Sequence, residues 1–207
     1  IEELRKQLSK ERDRLAEKVF HDLISQDKMR FLIIANKLGF KLPKTKKARS
    51  PWLTKSTGSQ LERSLFDYVP NDDFNETEKK VAWYLDDQNK LLFWYRNLPR
   101  QDYGIQGWQK HRVYADFIFT DTTINGNGFN RVFVVETKGI HLKRSEDTEY
   151  KEKLFNLCNE RAKEMTLTEL ALKIPAKKIK FKVIYEDEWK NRFNALFNLS
   201  LIHISEP

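Results

Sequence analysis

Three short apolar runs constrain this chain more than anything else in it: Leu91 to Arg96 (LLFWYR), Tyr114 to Thr120 (YADFIFT) and Arg131 to Lys138 (RVFVVETK). Each has the length of a strand and is dense in aromatic or β-branched residues, and none continues for the ten or more residues that a buried helix would need. The Asn- and Gly-rich stretch Asn125 to Gly128 lies between the second run and the third. It predicts a tight turn and an antiparallel hairpin.

The flanks of these runs read as helices. Asn75 followed by Glu78 has capping-box spacing, with Asn in place of Ser or Thr, and Val81, Ala82 and Leu85 supply the apolar face of the helix that it opens. After the third run, Thr148 to Met165 carries Tyr150, Leu154, Leu157, Cys158, Arg161 and Met165 along one side. Lys180 to Tyr185 (KFKVIY) reads as a closing strand, and Glu188 to Leu199 as a final short helix. The order is helix, three strands, helix, strand. An α/β fold follows from that order, and the family resemblance described below implies that its sheet is mixed, central and flanked by helices.

Ahead of Phe74 the pattern changes. From Ile1 to about Leu42, the residues Leu4, Leu8, Leu15, Val19 and Leu23 recur at spacings near three or four among Lys, Arg and Glu, which predicts a charged helical arm and a second helix around Met29 to Leu38. The segment KLPKTKKARSPW mixes Pro with a basic cluster. It is either a solvated tether or a phosphate clamp. The organisation is therefore residues 1–50 as helical arm and basic linker, 51–73 as a connecting segment, and 74–200 as the main domain. The tail at 201–207 (LIHISEP) reads unlike what precedes it and resembles a translated sequencing adapter, so it is set aside as non-native.

Composition narrows the function classes. The chain has 207 residues, 40% of them hydrophobic but in no long run, which suits one core with an appendage and leaves no membrane span. It begins at Ile1 with charged residues and no apolar signal core, which reads as a piece of a larger intracellular, cytoplasmic protein. A lone Cys158 excludes a disulfide framework within the chain and argues against a Cys-based zinc site. His21, His111, His141 and His203 have no ligand spacing. His141 follows the third strand, where it is either a phosphate contact or an ordinary loop histidine. The net charge of +8 and pI near 9.4 point to a polyanionic partner.

The chemistry concentrates at one strand end. Alternation puts Glu136 and Lys138 on the same face of an otherwise buried strand, and a hairpin would bring Asp116 to the same edge. One reading is a buried Glu136–Lys138 ion pair with Asp116 as a turn acid. The other is a divalent-metal site. Magnesium takes oxygen ligands and keeps several waters, so Asp116, Glu136 and the carbonyl of Thr137 would supply part of its shell and a substrate phosphate the rest. Lys138 would then orient a metal-activated water or offset charge on phosphoryl oxygens. Arg96, Gln101, Gln106 and Lys110, assigned to the loop between the first two strands, are either phosphate contacts or part of a solvated loop. Phe93, Trp94 and Tyr95 read as core.

Asp116 together with Glu136-Thr137-Lys138 looks like the D…ExK signature of the PD-(D/E)xK nuclease superfamily, and the order of elements resembles that superfamily's core. The wider text FNETEKKVAWYLDD, FWYRNLPRQDYGIQGW, YADFIF, VVETKGIHL and DTEYKEKLF looks like the C-terminal endonuclease domain of type III restriction enzyme Res subunits and their helicase–nuclease relatives, over about Leu65 to Leu157. Ala115 stands where that pattern has Pro. The resemblance implies a Mg2+-dependent DNA endonuclease domain with Asp116, Glu136, Lys138 and the upstream Glu78 as catalytic residues, and Asp116, Glu136 and Thr137 as the metal set. Glu78 also reads as a helix cap. Tyr150 and Lys151 fit the wording EYK and would face the site, Lys151 as a DNA contact beside Arg96, Gln106 and Lys110. The partners implied are double-stranded DNA, an N-terminal helicase region and a methyltransferase subunit. No GxxxxGK[ST] loop occurs, so ATP would act only in the motor region. The alternative is a nuclease-fold module that binds DNA or docks on a helicase without turnover.

Overall fold

A computed structural model describes residues 1–26, 41–47, 49–122, 131–162 and 178–198. The main unit is a four-stranded mixed sheet with helices on both faces. Its elements are α1 (Glu2–Ser25), α2 (Glu76–Asp86), β1 (Leu91–Arg96), β2 (Phe117–Asp121), β3 (Arg131–Lys138), α3 (Glu146–Arg161), β4 (Lys178–Tyr185) and α4 (Trp189–Asn198). The strands lie in the order β1-β2-β3-β4, with β1–β2 and β2–β3 antiparallel and β3–β4 parallel across α3.

The two central strands are apolar on both faces because both faces are covered. On one side Ile118, Val132 and Val134 meet Tyr150, Leu154, Phe155 and Cys158 of α3. On the other, Phe117, Phe119, Phe133 and Val135 pack with Val81, Ala82 and Leu85 of α2 and Phe193, Leu196 and Phe197 of α4. The cross-strand partners Phe119 and Phe133 stack with centroids 5.0 Å apart.

Several boundaries depart from the sequence reading for identifiable reasons. The second strand begins at Phe117, not Tyr114, so Asp116 precedes it. α3 starts at Glu146, not Thr148, because Ser145 caps it, accepting a hydrogen bond from the Thr148 N–H. β4 starts two residues earlier than expected. The second N-terminal helix at Met29 to Leu38, the turn at Asn125 to Gly128, Met165 and the tail fall outside the described residues.

The segment 51–73 is part of the packed unit, since Leu53, Leu61 and Val69 lie in the α2-side core. They stand eight residues apart, too sparsely for a helix or strand repeat to show, which hides them in the sequence. α1 is also used differently from its pattern. Leu4, Leu8, Leu15 and Val19 are exposed, while Ile24 and Phe20 reach the core. The polar side of α1 faces α3, with Glu17 on Lys153 at 3.0 Å and Lys10 on Glu146 at 3.9 Å. Among the described residues no helix is long and apolar enough to cross a membrane.

One buried carboxylate ties the 51–73 segment to the sheet. Asp86, at the end of α2, accepts hydrogen bonds from the N–H groups of Glu62 and Arg63 and from the Trp94 indole, at 2.8 to 3.0 Å. Asp86→Ala would leave three donors unmatched around a fully buried Trp94. It should therefore cost about 3 kcal/mol or more, measured by urea unfolding. A loss below about 1 kcal/mol would mean that water replaces the carboxylate.

Candidate active site

The site forms where the β2–β3 ladder ends. Phe117 pairs with Val135, and the Asp116 N–H still donates to the Val135 carbonyl. Beyond that point the Asp116 side chain takes the place of the next backbone acceptor. Its Oδ2 receives the Thr137 N–H and the Thr137 hydroxyl, both at 2.7 Å. The ladder ends because a carboxylate outcompetes a carbonyl for that N–H.

The other oxygen of Asp116 belongs to a buried charge bridge. Arg96 Nη1 is 3.1 Å from Asp116 Oδ1 and Nη2 is 2.7 Å from Glu78 Oε1. The guanidinium lies 5.5 Å and 5.4 Å from the ring centroids of Phe74 and Phe117, and its Nε donates to the Asp73 carbonyl. Asp73 in turn holds Arg49 at 2.8 Å and Lys46 at 3.6 Å, so the basic linker closes against the domain beside the site. Glu78 also completes the capping box, its Oε2 accepting the Asn75 N–H while Asn75 Oδ1 accepts that of Glu78. Glu78 is thus a helix cap, as its spacing predicts, and its other oxygen reaches Arg96 beside Asp116. Burial pushes its carboxyl up to about 6, with Arg96 opposing and Asp116 adding to the rise.

Glu136 faces α3. Its Oε1 meets Lys151 Nζ at 2.9 Å and Lys138 Nζ at 3.0 Å, and both ammonium groups also reach Asp147 Oδ2, at 3.2 and 3.3 Å. The ion pair of Glu136 with Lys138 is therefore present, widened by Lys151 and Asp147. Oε2 of Glu136 is buried without a hydrogen-bond partner. Burial, then the charge of Asp116, pushes this carboxyl up to about 7, against the pull of Lys151 and Lys138. Asp147 is held low because Lys151 and Lys138 outweigh its own burial. The Lys151 ammonium is held up by Glu136, also against burial.

Asp116, Glu136 and Lys138 thus come together at one strand end, as two adjoining clusters that Thr137 joins. Among the described residues no three His, Cys, Asp or Glu side chains are gathered closely enough to hold a metal ion by themselves. What fits a cation is the unpartnered Glu136 oxygen in the field of a second carboxylate, since hard oxygen donors and excess negative charge are what magnesium requires.

Arg96 ends β1 instead of lying in the following loop, and its guanidinium is spent on Glu78 and Asp116, not on solvent-facing phosphate contacts. Lys151 is likewise committed to Glu136. Gln106 donates to the carbonyls of Gly107 and Gln109 and so braces its own loop. Lys110 and His141 are exposed.

Three contributors were missed. Asp147 was hidden in the first helical turn, where an acid is ordinary. Asp73 sits in a run of polar residues. Asn97 directly follows β1, where its amide donates to the carbonyls of Tyr103 and Ala115 and its Oδ1 accepts the Tyr103 N–H, which holds the approach to Asp116 in place. A polar residue closing an apolar strand was the available signal.

Comparison of the chain with protein-family models, curated proteins and solved structures gives no match.

The charge balance predicts a pH effect in the metal-free chain. The folded state binds the Glu136 proton up to about pH 7, whereas an ordinary carboxyl releases it near 4.5, so this group's contribution is complete below 4.5 and is lost as pH rises through 7. In chelator, Glu136→Gln should flatten that part of the stability curve. Relative to the variant, wild type should lose on the order of 3 kcal/mol across the interval in urea titrations at a series of pH values. Parallel curves for the two proteins would contradict the assignment.

Proposed function

We propose that this chain is a magnesium-dependent DNA endonuclease domain of the PD-(D/E)xK type, the C-terminal part of a type III restriction helicase–nuclease subunit. One observation carries the reading. At the end of β3 a buried carboxylate, Glu136, keeps one oxygen unpartnered within the field of Asp116, with Lys138 beside it. Burying charges in this way costs stability unless something binds there. The succession α2-β1-β2-β3-α3-β4 supports the reading, as it has the order of elements that the superfamily resemblance implies.

Asp116, Glu136 and the Thr137 carbonyl would hold the cation. When bound, magnesium supplies a Lewis acid for a phosphoryl oxygen and makes a water acidic enough to act as nucleophile. The chain's own residues prepare the ground. Thr137 and Arg96 fix the Asp116 carboxylate on both oxygens, and Glu78 fixes Arg96. Lys138 and Lys151 place positive charge beside Glu136, where it offsets charge that grows on a phosphodiester in the transition state. Double-stranded DNA is the substrate in this reading. A helicase region carrying the ATP site and a methyltransferase subunit are the partners, in the cytoplasm.

A second reading is a nuclease-fold module without turnover. Its support is that Lys138 and Lys151 already satisfy Oε1 of Glu136 without any metal. Incubating the purified chain with plasmid DNA, with and without magnesium, separates the two. Nicking that requires magnesium and falls by about 10²-fold or more in both Asp116→Asn and Lys138→Ala, with folding kept, is the expected result. Either variant cutting at the wild-type rate would overturn the catalytic assignment, and binding without magnesium-dependent cutting by wild type would favour the second reading.

A further inference from the structure

The α2 face of β4 carries a row of charge that the site does not use. Alternation along β4 sends Ile179, Phe181, Val183 and Tyr185 into the α3-side core and leaves Lys178, Lys180 and Lys182 on the other face, in register with Arg131, Phe133 and Val135 of β3. β4 is the last strand of the sheet, so the row runs along its edge. Lys178 and Lys180 are exposed and Lys182 half-buried. Among the described residues no carboxylate pairs with any of the three. The nearby acid, Asp121, is taken by Arg131 at 2.7 Å.

Three like charges on successive same-face positions repel one another. The Lys180 ammonium registers this, since burial, then Lys182 and Arg131, lower its affinity for a proton. Lysines on an edge strand also deter edge-to-edge pairing, and that role accounts for one such residue readily. It does not require three in a row with no countercharge. Same-face residues recur about every 6.7 Å along a strand, a repeat suited to a ligand whose negative charges also recur in a line. On β3 the row ends level with Val135, one residue before Glu136, whose side chain points to the opposite, α3 face of the sheet.

We propose that Lys178, Lys180 and Lys182 form a binding surface for the phosphodiester backbone of a nucleic acid. Backbone binding of this kind does not rest on the nuclease reading. Recognition by such a row is blind to sequence and depends on salt, since each neutralised phosphate releases counterion.

The test is a salt series of fluorescence anisotropy with a short labelled duplex of arbitrary sequence, on the full chain in EDTA. Replacing all three lysines by Gln should lower the slope of log affinity against log salt by about two to three, and replacing them by Arg should preserve it. Lys180→Glu keeps the edge charged against aggregation. It should still weaken binding about tenfold or more at low salt. An unchanged slope in the Gln variant, or wild-type affinity in Lys180→Glu, overturns the proposal and leaves the lysines as edge protection. Plasmid cleavage by wild type in magnesium reports separately on the nuclease reading. A reduced slope without cleavage upholds the surface and defeats the nuclease, and cleavage with an unchanged slope does the reverse.

Discussion

The hydrogen bonds from Thr137 to the Asp116 carboxylate are the contact on which the site depends. A backbone N–H in a sheet has to be matched, and here an acidic side chain matches it in place of the neighbouring strand. The pairing of β2 and β3 stops at that point, and Asp116 is held with one oxygen on β3 and the other towards Arg96. Had the ladder run one pair further on backbone bonds alone, Asp116 would lack this anchor on β3.

Around that point the fold solves a problem of buried charge in two ways. On the α2 side a single Arg96 sits between two carboxylates and two aromatic rings, so every formal charge there has an opposite neighbour. On the α3 side two ammonium groups crowd one oxygen of Glu136 and leave the other bare. The first arrangement resembles a structural ion network. The second is lopsided, and in a buried setting such an imbalance favours either a bound proton or a bound cation.

Much of this was legible in the sequence because the signals are local. LLFWYR and RVFVVETK mark β1 and β3 to the residue, and the Asn75–Glu78 box gives the start of α2. The convergence of Asp116 with Glu136 follows from hairpin register alone. What escaped has no period or is set by tertiary contacts. Leu53, Leu61 and Val69 are core but stand eight residues apart, too sparsely to signal an element, and Leu4, Leu8, Leu15 and Val19 are patterned without being core. Arg96 looked like a loop cation because its partners lie about twenty residues away on either side of it in the chain. The roles of Asp147 and Lys151 depend on how the start of α3 lies over the end of β3, which no spacing in the sequence encodes.

The contact between the basic linker and Asp73 has a further consequence. Asp73 grips Lys46 and Arg49 with its carboxylate and Arg96 with its carbonyl. The guanidinium that counters Glu78 and Asp116 is thus moored to the stretch through which the polypeptide enters the domain. Displacing Lys46 and Arg49 would strip Asp73 of both its ion pairs. The electrostatic setting of the carboxylates is in this sense coupled to where Lys46 and Arg49 lie.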